Sequence, residues 1–435
     1  MKTTKTADLS PQLDLSDRDQ AMLAGEGTPA EQMAMRILIA MANVYGAPRL
    51  LDIRSAHIDS AIYHGMSSLD FAKRLVEGEA KTCVPTTLNV GGVDLLHPEH
   101  HQGSNEEFAL ASELMDAYKI MGCRPIWTCT PYQVSQRPAL GMQIAWAESN
   151  AIVFANSVLG ARTNRYGDYI DICAAITGRA PETGLHITEN RRGQVLFRLQ
   201  NISDTLLAED VFYPIIGYYI GAHCGAKIPV IEGLPPDATE DQLKALGAAA
   251  ASSGAVALFH AVGVTPEAVT LADAFQNQPP EQEVAVTLDM LRAARKHLST
   301  VPDGPIDVVA LGSPHFSIDE FAQLMPLLQT RKIANTLPFN NVDFIVCTNR
   351  FTLDQLHQRN WHDLLMDAGV RIVVDTCVVV MPTVRIREGV LMTNSGKFAH
   401  YTPGNTGLDV IYGSLKECVH SATEGQIVRD QLLWG

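Results

Sequence analysis

At 435 residues, with 46% hydrophobic and only 19% charged positions, the chain is too long for one ordinary domain and apolar enough to bury large cores, so two or three packed domains are expected and disorder is not. Its formal charge of −15, with no run of Lys or Arg beyond a pair, excludes the basic footprint that nucleic acids or anionic membranes require. The polar, acidic N-terminus MKTTKTADLSPQLDLSDRDQ has no apolar core of the kind a secretory signal needs, and no run of about 18 apolar residues offers a membrane span, so a cytoplasmic protein is expected.

In chain order, a helix is expected to begin near Ser16 or Thr28, where DRDQAMLAGEG and PAEQMAMRILIAMANVYGA space apolar residues by three and four. LLDIRSAHI reads as a strand and a loop. Then come helix SLDFAKRLVEG, strand TCVPTTLNV, a polar loop through 97–106, helix EEFALASELMDAYKIMG and strand PIWTCTP. Residues 141–180 read as a buried small-residue helix emptying into a polar loop. Together they form a first α/β region, 1–182. A second runs over 183–300, ending in an expected helix VAVTLDMLRAARKHL, and a third over 301–435 with strands IDVVALG, VDFIVCT and RIVVDTCVVV. Alternating helices and short apolar runs predict an α/β protein with mainly parallel sheets, whose sites lie beyond the carboxyl ends of strands.

Eight cysteines in a reducing compartment are free thiols, metal ligands or nucleophiles. Cys129, Cys347 and Cys377 end strands or open turns, where iron–sulfur ligands belong, and the last two lie about thirty residues apart, as on adjacent parallel strands. A lone Cys in an apolar strand is nevertheless more often a small core residue. Cys83, Cys173, Cys224 and Cys418 read as core or surface thiols, and Cys123 beside Arg124 as a thiol of the same kind. Loops 161–165 (ARTNR) and 189–192 (ENRR) pair guanidiniums with hydrogen-bonding groups, which suits either a carboxylate clamp or a solvated surface. TNSGK at 393–397 offers Ser395 and Lys397 to an anion but lacks nucleotide-loop spacing. His57, His260 and His315 each border an apolar run, and no HExxH or comparable local spacing supports a zinc site.

SAHIDSAIYHG at 55–65, TTLN at 86–89, TCTPY at 128–132, WAESNAIVFANSVLGARTNR at 146–165, LHITENRR at 185–192, ALFHAVGVTPE at 257–267, GSPH at 312–315, DTCVVVMP at 375–382 and TNSGK occur in an order that resembles the large-subunit region of the aconitase X family across nearly the whole chain. The resemblance implies an aconitase-like core of three α/β/α domains and an iron–sulfur hydro-lyase. Its substrate would be cis-3-hydroxy-L-proline, dehydrated to 1-pyrroline-2-carboxylate, or alternatively mevalonate 5-phosphate. By the same resemblance Cys129 and Cys377 are cluster ligands. The third family position, commonly the Cys of GCPH, is Ser313 here. Either Ser313 supplies an oxygen ligand or Cys347 takes over, and the cluster is a 2Fe-2S one or of another nuclearity. Catalytic roles fall to Ser55, His57 and Lys397, and substrate contacts to Thr87, Arg162, Asn164, Arg165 and Ser395.

The family's small swivel domain, with a Gly- and Ser-rich active loop, finds no counterpart among the roughly forty residues after TNSGK, so a separate small subunit is expected. From another class, Ser313 also suits a metabolite sensor or scaffold that kept the fold and lost the cluster.

Overall fold

The computed structural model describes residues 13–339, 341–380 and 383–434. The first twelve residues of the acidic N-terminus, and Met381 and Pro382 at the end of DTCVVVMP, lie outside them. Both proposed helix starts are real. Ser16 and Thr28 each cap a helix, Asp17–Ala24 and Pro29–Tyr45, through a reciprocal capping box, and Pro29 stands where its missing N–H costs nothing.

Three parallel sheets organise the chain. In the first, strand Ala56–Ile58 lies between Thr86–Leu88 and Ala145–Trp146. Helices Pro29–Tyr45, Met66–Glu77, Asn105–Ile120 and Ile170–Thr177 bury Leu38, Leu69, Leu114 and Ile172 around it. The second sheet runs His260–Ala261, Pro229–Glu232, Val195–Leu199, Gln282–Val286. Against it pack helices Phe212–Cys224 and Glu240–Ser253, which approach so closely that a Cβ at Gly217 or Gly221 would collide with the Leu246 or Ala250 carbonyl.

The third sheet has five strands, in the order Val370–Val373, Asp343–Cys347, Val308–Leu311, Val390–Thr393, Asp409–Tyr412. Its two faces alternate residue by residue. Val308, Ala310, Ile345, Cys347 and Val373 point into a core shared with the second sheet's helices. Val309, Leu311, Phe344, Val346 and Ile372 enter a separate core on the other side. Cys347 pairs with Val373, so the expected adjacency of these two strands is observed.

Three segments differ from expectation. PIWTCTP is no strand: beyond the Arg124 bridge to Thr87 the chain turns away, because Pro125 has no N–H to donate and Trp127 adopts φ 44°. DTCVVV leaves its strand at Val373, and Asp375, at φ 62°, turns the chain toward Cys377. The residues VAVT form the end of strand Gln282–Val286 and its boundary, and the helix starts only at Leu288.

Candidate active site

Strand ends from the first and third sheets meet over one cavity of about 470 Å³. Asp59 follows strand Ala56–Ile58, Asn89 follows Thr86–Leu88, and Glu148 lies just past Ala145–Trp146. Opposite stand Ser313 after Val308–Leu311, Cys377 after Val370–Val373 and Lys397 after Val390–Thr393. Cys129 completes the group from the loop beside the first sheet. This is where open parallel sheets place their sites, since every strand delivers its last residues to the same edge.

His315 locks the two cysteine loops together. Its backbone N–H donates to Cys129 Sγ at 3.2 Å, and its Nε2 lies 3.1 Å from the Thr376 carbonyl beside Cys377. A carbonyl only accepts, so Nε2 carries the proton and Nδ1 accepts from the Thr128 hydroxyl at 3.0 Å. Burial pulls the imidazole pKa down to about 4, which keeps it in this neutral form. Upstream, Gly312 adopts φ 88° with its Cα against the Cys347 carbonyl, where a Cβ would clash; only glycine lets the chain turn here and bring Ser313 to the cavity.

Lys397 and Glu148 form a buried ion pair in the cavity wall, Nζ to Oε1 2.5 Å. Burial pushes the Glu148 carboxyl upward, but the Lys397 ammonium and the Ala151 and Asn150 amides outweigh it and hold the pKa below its ordinary value. Lys397 is raised, with burial opposed by Glu148 and by the nearby thiols. Ser395 caps the Lys397 helix, accepting from the Phe398 amide at 3.0 Å and donating to the Ser313 carbonyl. Asp59, which keeps some solvent contact, is pushed up to about 8 by desolvation and by the neighbouring Glu148 and Asp168 charges; Asn89 donates to it.

The site could hold an iron–sulfur cluster. Two thiols and a hydroxyl converge on one cavity, and burial pushes both the Cys129 and the Cys377 thiol up. A bound cation removes that penalty by stabilising thiolate. Cys347 is placed differently. Its side chain shares a buried core cluster with Cys377 and lies near enough to Cys377 and Cys129 for both to push its thiol up, but it is not among the residues that line the cavity.

Of the other residues singled out from sequence, Arg165 and Lys397 line the cavity, while Ser395 lines an adjoining one. Ser55, His57, Thr87, Arg162 and Asn164 are not among the residues that line it. His57 and Thr87 bond each other at 2.9 Å within the small sheet, and burial pulls the imidazole down to about 4. Arg162 donates to Thr188 Oγ1 at 2.7 Å and to the His186 carbonyl at 3.3 Å. Asn164 donates to the Thr183 carbonyl and accepts from the Leu185 amide. Ser55 is buried with its carbonyl taken by the Ala145 amide. Sequence reasoning missed Asp59, Asn89 and Glu148. Their common signal is a polar residue one or two positions past a short strand.

The first, second and third domains of aconitase X match residues 12–189, 193–296 and 306–424. The chain belongs to the aconitase X family. It is 42% identical to cis-3-hydroxy-L-proline dehydratase of Pseudomonas aeruginosa, over 96% of this chain and 71% of that protein. The phosphomevalonate dehydratase large subunit of Methanothermobacter thermautotrophicus is 38% identical, over 92% of this chain and 96% of that one. In structure it is similar to the holo-form of Thermococcus kodakaraensis aconitase X, with a TM-score of 0.83 and 32% identity over 93% of this chain and 99% of that one. The expected α/β fold with mainly parallel sheets is therefore that of its family.

Proposed function

We propose that this aconitase X chain is the cluster-bearing part of a hydro-lyase that dehydrates cis-3-hydroxy-L-proline to 1-pyrroline-2-carboxylate. The observation that carries the reading is the charge mixture in the cavity: Cys129, Cys377 and Ser313 share it with Arg165 and Lys397 on one hand and Glu148 and Asp168 on the other. A zwitterionic amino acid needs both signs. A phosphorylated substrate would call on Arg162, Arg165, Arg191 and Lys397 together, yet Arg162 is held by Thr188 and Arg191 by Glu267 and Asn156. Lys397 is already matched by Glu148.

In this reading Cys129, Cys377 and Ser313 hold an iron–sulfur cluster, which when bound supplies a Lewis acid for the departing hydroxyl. Arg165 takes the substrate carboxylate and Asp168 its ring ammonium. The C2–H and C3–O bonds break, C2=C3 forms, and the resulting enamine tautomerises to the cyclic imine. Asp59, protonated near neutral pH, is suited to hand its proton to the leaving hydroxide, which departs as water. The C2 proton goes to a base on a small partner subunit, a partner supported by the name "large subunit" carried by relatives that this chain covers almost completely. A cytoplasmic location accompanies the reading; among the described residues no helix is long and apolar enough to cross a membrane.

The test is an anaerobic assay of the iron- and sulfide-reconstituted chain, with and without the small subunit, on both substrates. Turnover of cis-3-hydroxy-L-proline is expected. Turnover of mevalonate 5-phosphate instead, or a protein that takes up no iron and sulfide, would overturn the proposal; the latter would favour the sensor.

A further inference from the structure

Outside the cavity, Asp94, His97 and His100 stand three residues apart along one loop, a spacing that a search for HExxH passes over. Pro98 opens a single tight turn, Pro98–His100, which brings the two imidazoles to one side with ring centres 5.1 Å apart. The Asp94 side chain is 2% exposed. Its Oδ1 accepts the Leu96 and His97 amides at 2.9 and 2.8 Å, and its Oδ2 accepts the Val374 amide at 3.0 Å. That leaves Oδ2 facing both rings, 3.1 Å from His97 Nδ1 and 3.6 Å from His100 Nδ1.

Two features go beyond a hydrogen-bonded carboxylate. His100 Nδ1 is buried and has no hydrogen-bond partner among the described residues, although it faces a carboxylate oxygen. The three ligand atoms also lie within 4.8 Å of one another, and the two nitrogen–oxygen separations bracket the roughly 3.3 Å between neighbouring ligands of a tetrahedral ion with bonds of about 2.0–2.1 Å. The carboxylate is already oriented by three backbone amides, the outer support that metal ligands need.

We propose that Asp94 Oδ2, His97 Nδ1 and His100 Nδ1 bind a divalent transition ion of the zinc class, with water in the fourth position. The ion fastens the 94–100 loop to the turn that carries Cys377, since Asp94 holds the Val374 amide and Asp375 in turn accepts from the Leu95 amide at 3.2 Å and from Arg350. It is a site separate from the thiols of the cavity, and it does not depend on which hydroxy acid the enzyme dehydrates.

The experiment titrates Co²⁺, then Zn²⁺, into the purified cluster-loaded chain under anaerobic conditions. One equivalent of cobalt should bind with four-coordinate ligand-field absorption and no thiolate-to-cobalt charge transfer, should be displaced by zinc, and should raise the thermal midpoint. His97→Ala and His100→Ala should each weaken zinc binding by at least about 100-fold, because even outer-shell partners of metal ligands are worth about 10–100-fold. The Cys129→Ala/Cys377→Ala chain should still bind cobalt with the same spectrum. The proposal is overturned if the folded wild-type chain binds no stoichiometric cobalt or zinc at micromolar concentration. It is equally overturned if binding survives both histidine substitutions or disappears with the cysteines.

Discussion

Glu148→Gln would keep the shape of the cavity wall and delete one charge of a largely buried pair. The Lys397 and Glu148 side chains are 11% and 6% exposed, with 2.5 Å between the charged atoms. Losing one partner leaves an ammonium buried without its counter-charge, a change that costs about 3–5 kcal/mol when a buried pair is broken. Lys397→Met strands the carboxylate and should cost a similar amount. The double variant should recover about 1–3 kcal/mol of the summed loss, as residues in direct contact do. Glu148 titrates lower when folded than unfolded, so its share of stability is present above about pH 4.3 and is lost as pH falls through the folded value. Lys397 titrates higher when folded, so its share is present below about pH 10.4 and is lost as pH rises through the folded value. Across the neutral range both shares are intact, and the pair's contribution should be independent of pH there. Urea unfolding of the wild-type, single and double variants at neutral pH measures the cycle. Single losses below about 1 kcal/mol, or no coupling between the two sites, would refute the account of the pair as mutually stabilised buried charges.

Cys129→Ala or Cys377→Ala should abolish cluster absorbance and turnover. Ser313→Ala should weaken the cluster, whereas Cys347→Ala, in the core behind it, should keep the absorbance and cost about 1 kcal/mol of stability; the reverse pattern in the visible spectrum would make Cys347 the third ligand. Asp59 holds its proton to about pH 8 when folded and to about 3.9 when unfolded, so it lowers stability as pH rises between those values. Asp59→Asn should flatten that slope in a thermal-midpoint series, remove the alkaline fall in activity near pH 8 and slow turnover by about 10²–10⁴-fold. Arg165→Gln should raise KM for the hydroxy acid by about 10–100-fold, the worth of a charged hydrogen bond of about 1.5–3 kcal/mol. Arg162→Gln, whose guanidinium serves His186 and Thr188, should leave KM unchanged in the same steady-state assay.

Much of this protein is legible in its sequence, because the local code is short-range. The capping pairs at Ser16 and Thr28, the periodic helices and the apolar runs of the third sheet all depend on neighbours within a few residues, and the ordered strings carried the family with them. The strands that lead to Cys347 and Cys377 are adjacent, as their spacing suggests; Cys347 ends one, but Cys377 lies past the end of the other. The turn then separates them: Cys347 is the last residue of its strand and packs in the core, while Asp375 turns the chain so that Cys377, packed in the same core, also lines the cavity. Ser55, His57 and Thr87 looked available because a hydroxyl or imidazole near a strand end resembles a site residue, and only the folded sheet shows that Thr87 takes His57 Nδ1 while Nε2 has no hydrogen-bond partner among the described residues. The decisive contacts are between residues far apart in the chain. His315 meets Cys129 across 186 positions and Lys397 meets Glu148 across 249. No periodicity or spacing encodes such a meeting, since it comes from two parallel sheets delivering their carboxyl edges to one place. The sequence by itself determined the layers, the family and the cysteines worth watching. The tertiary structure alone decided which polar groups share the cavity, and therefore how its charges are balanced.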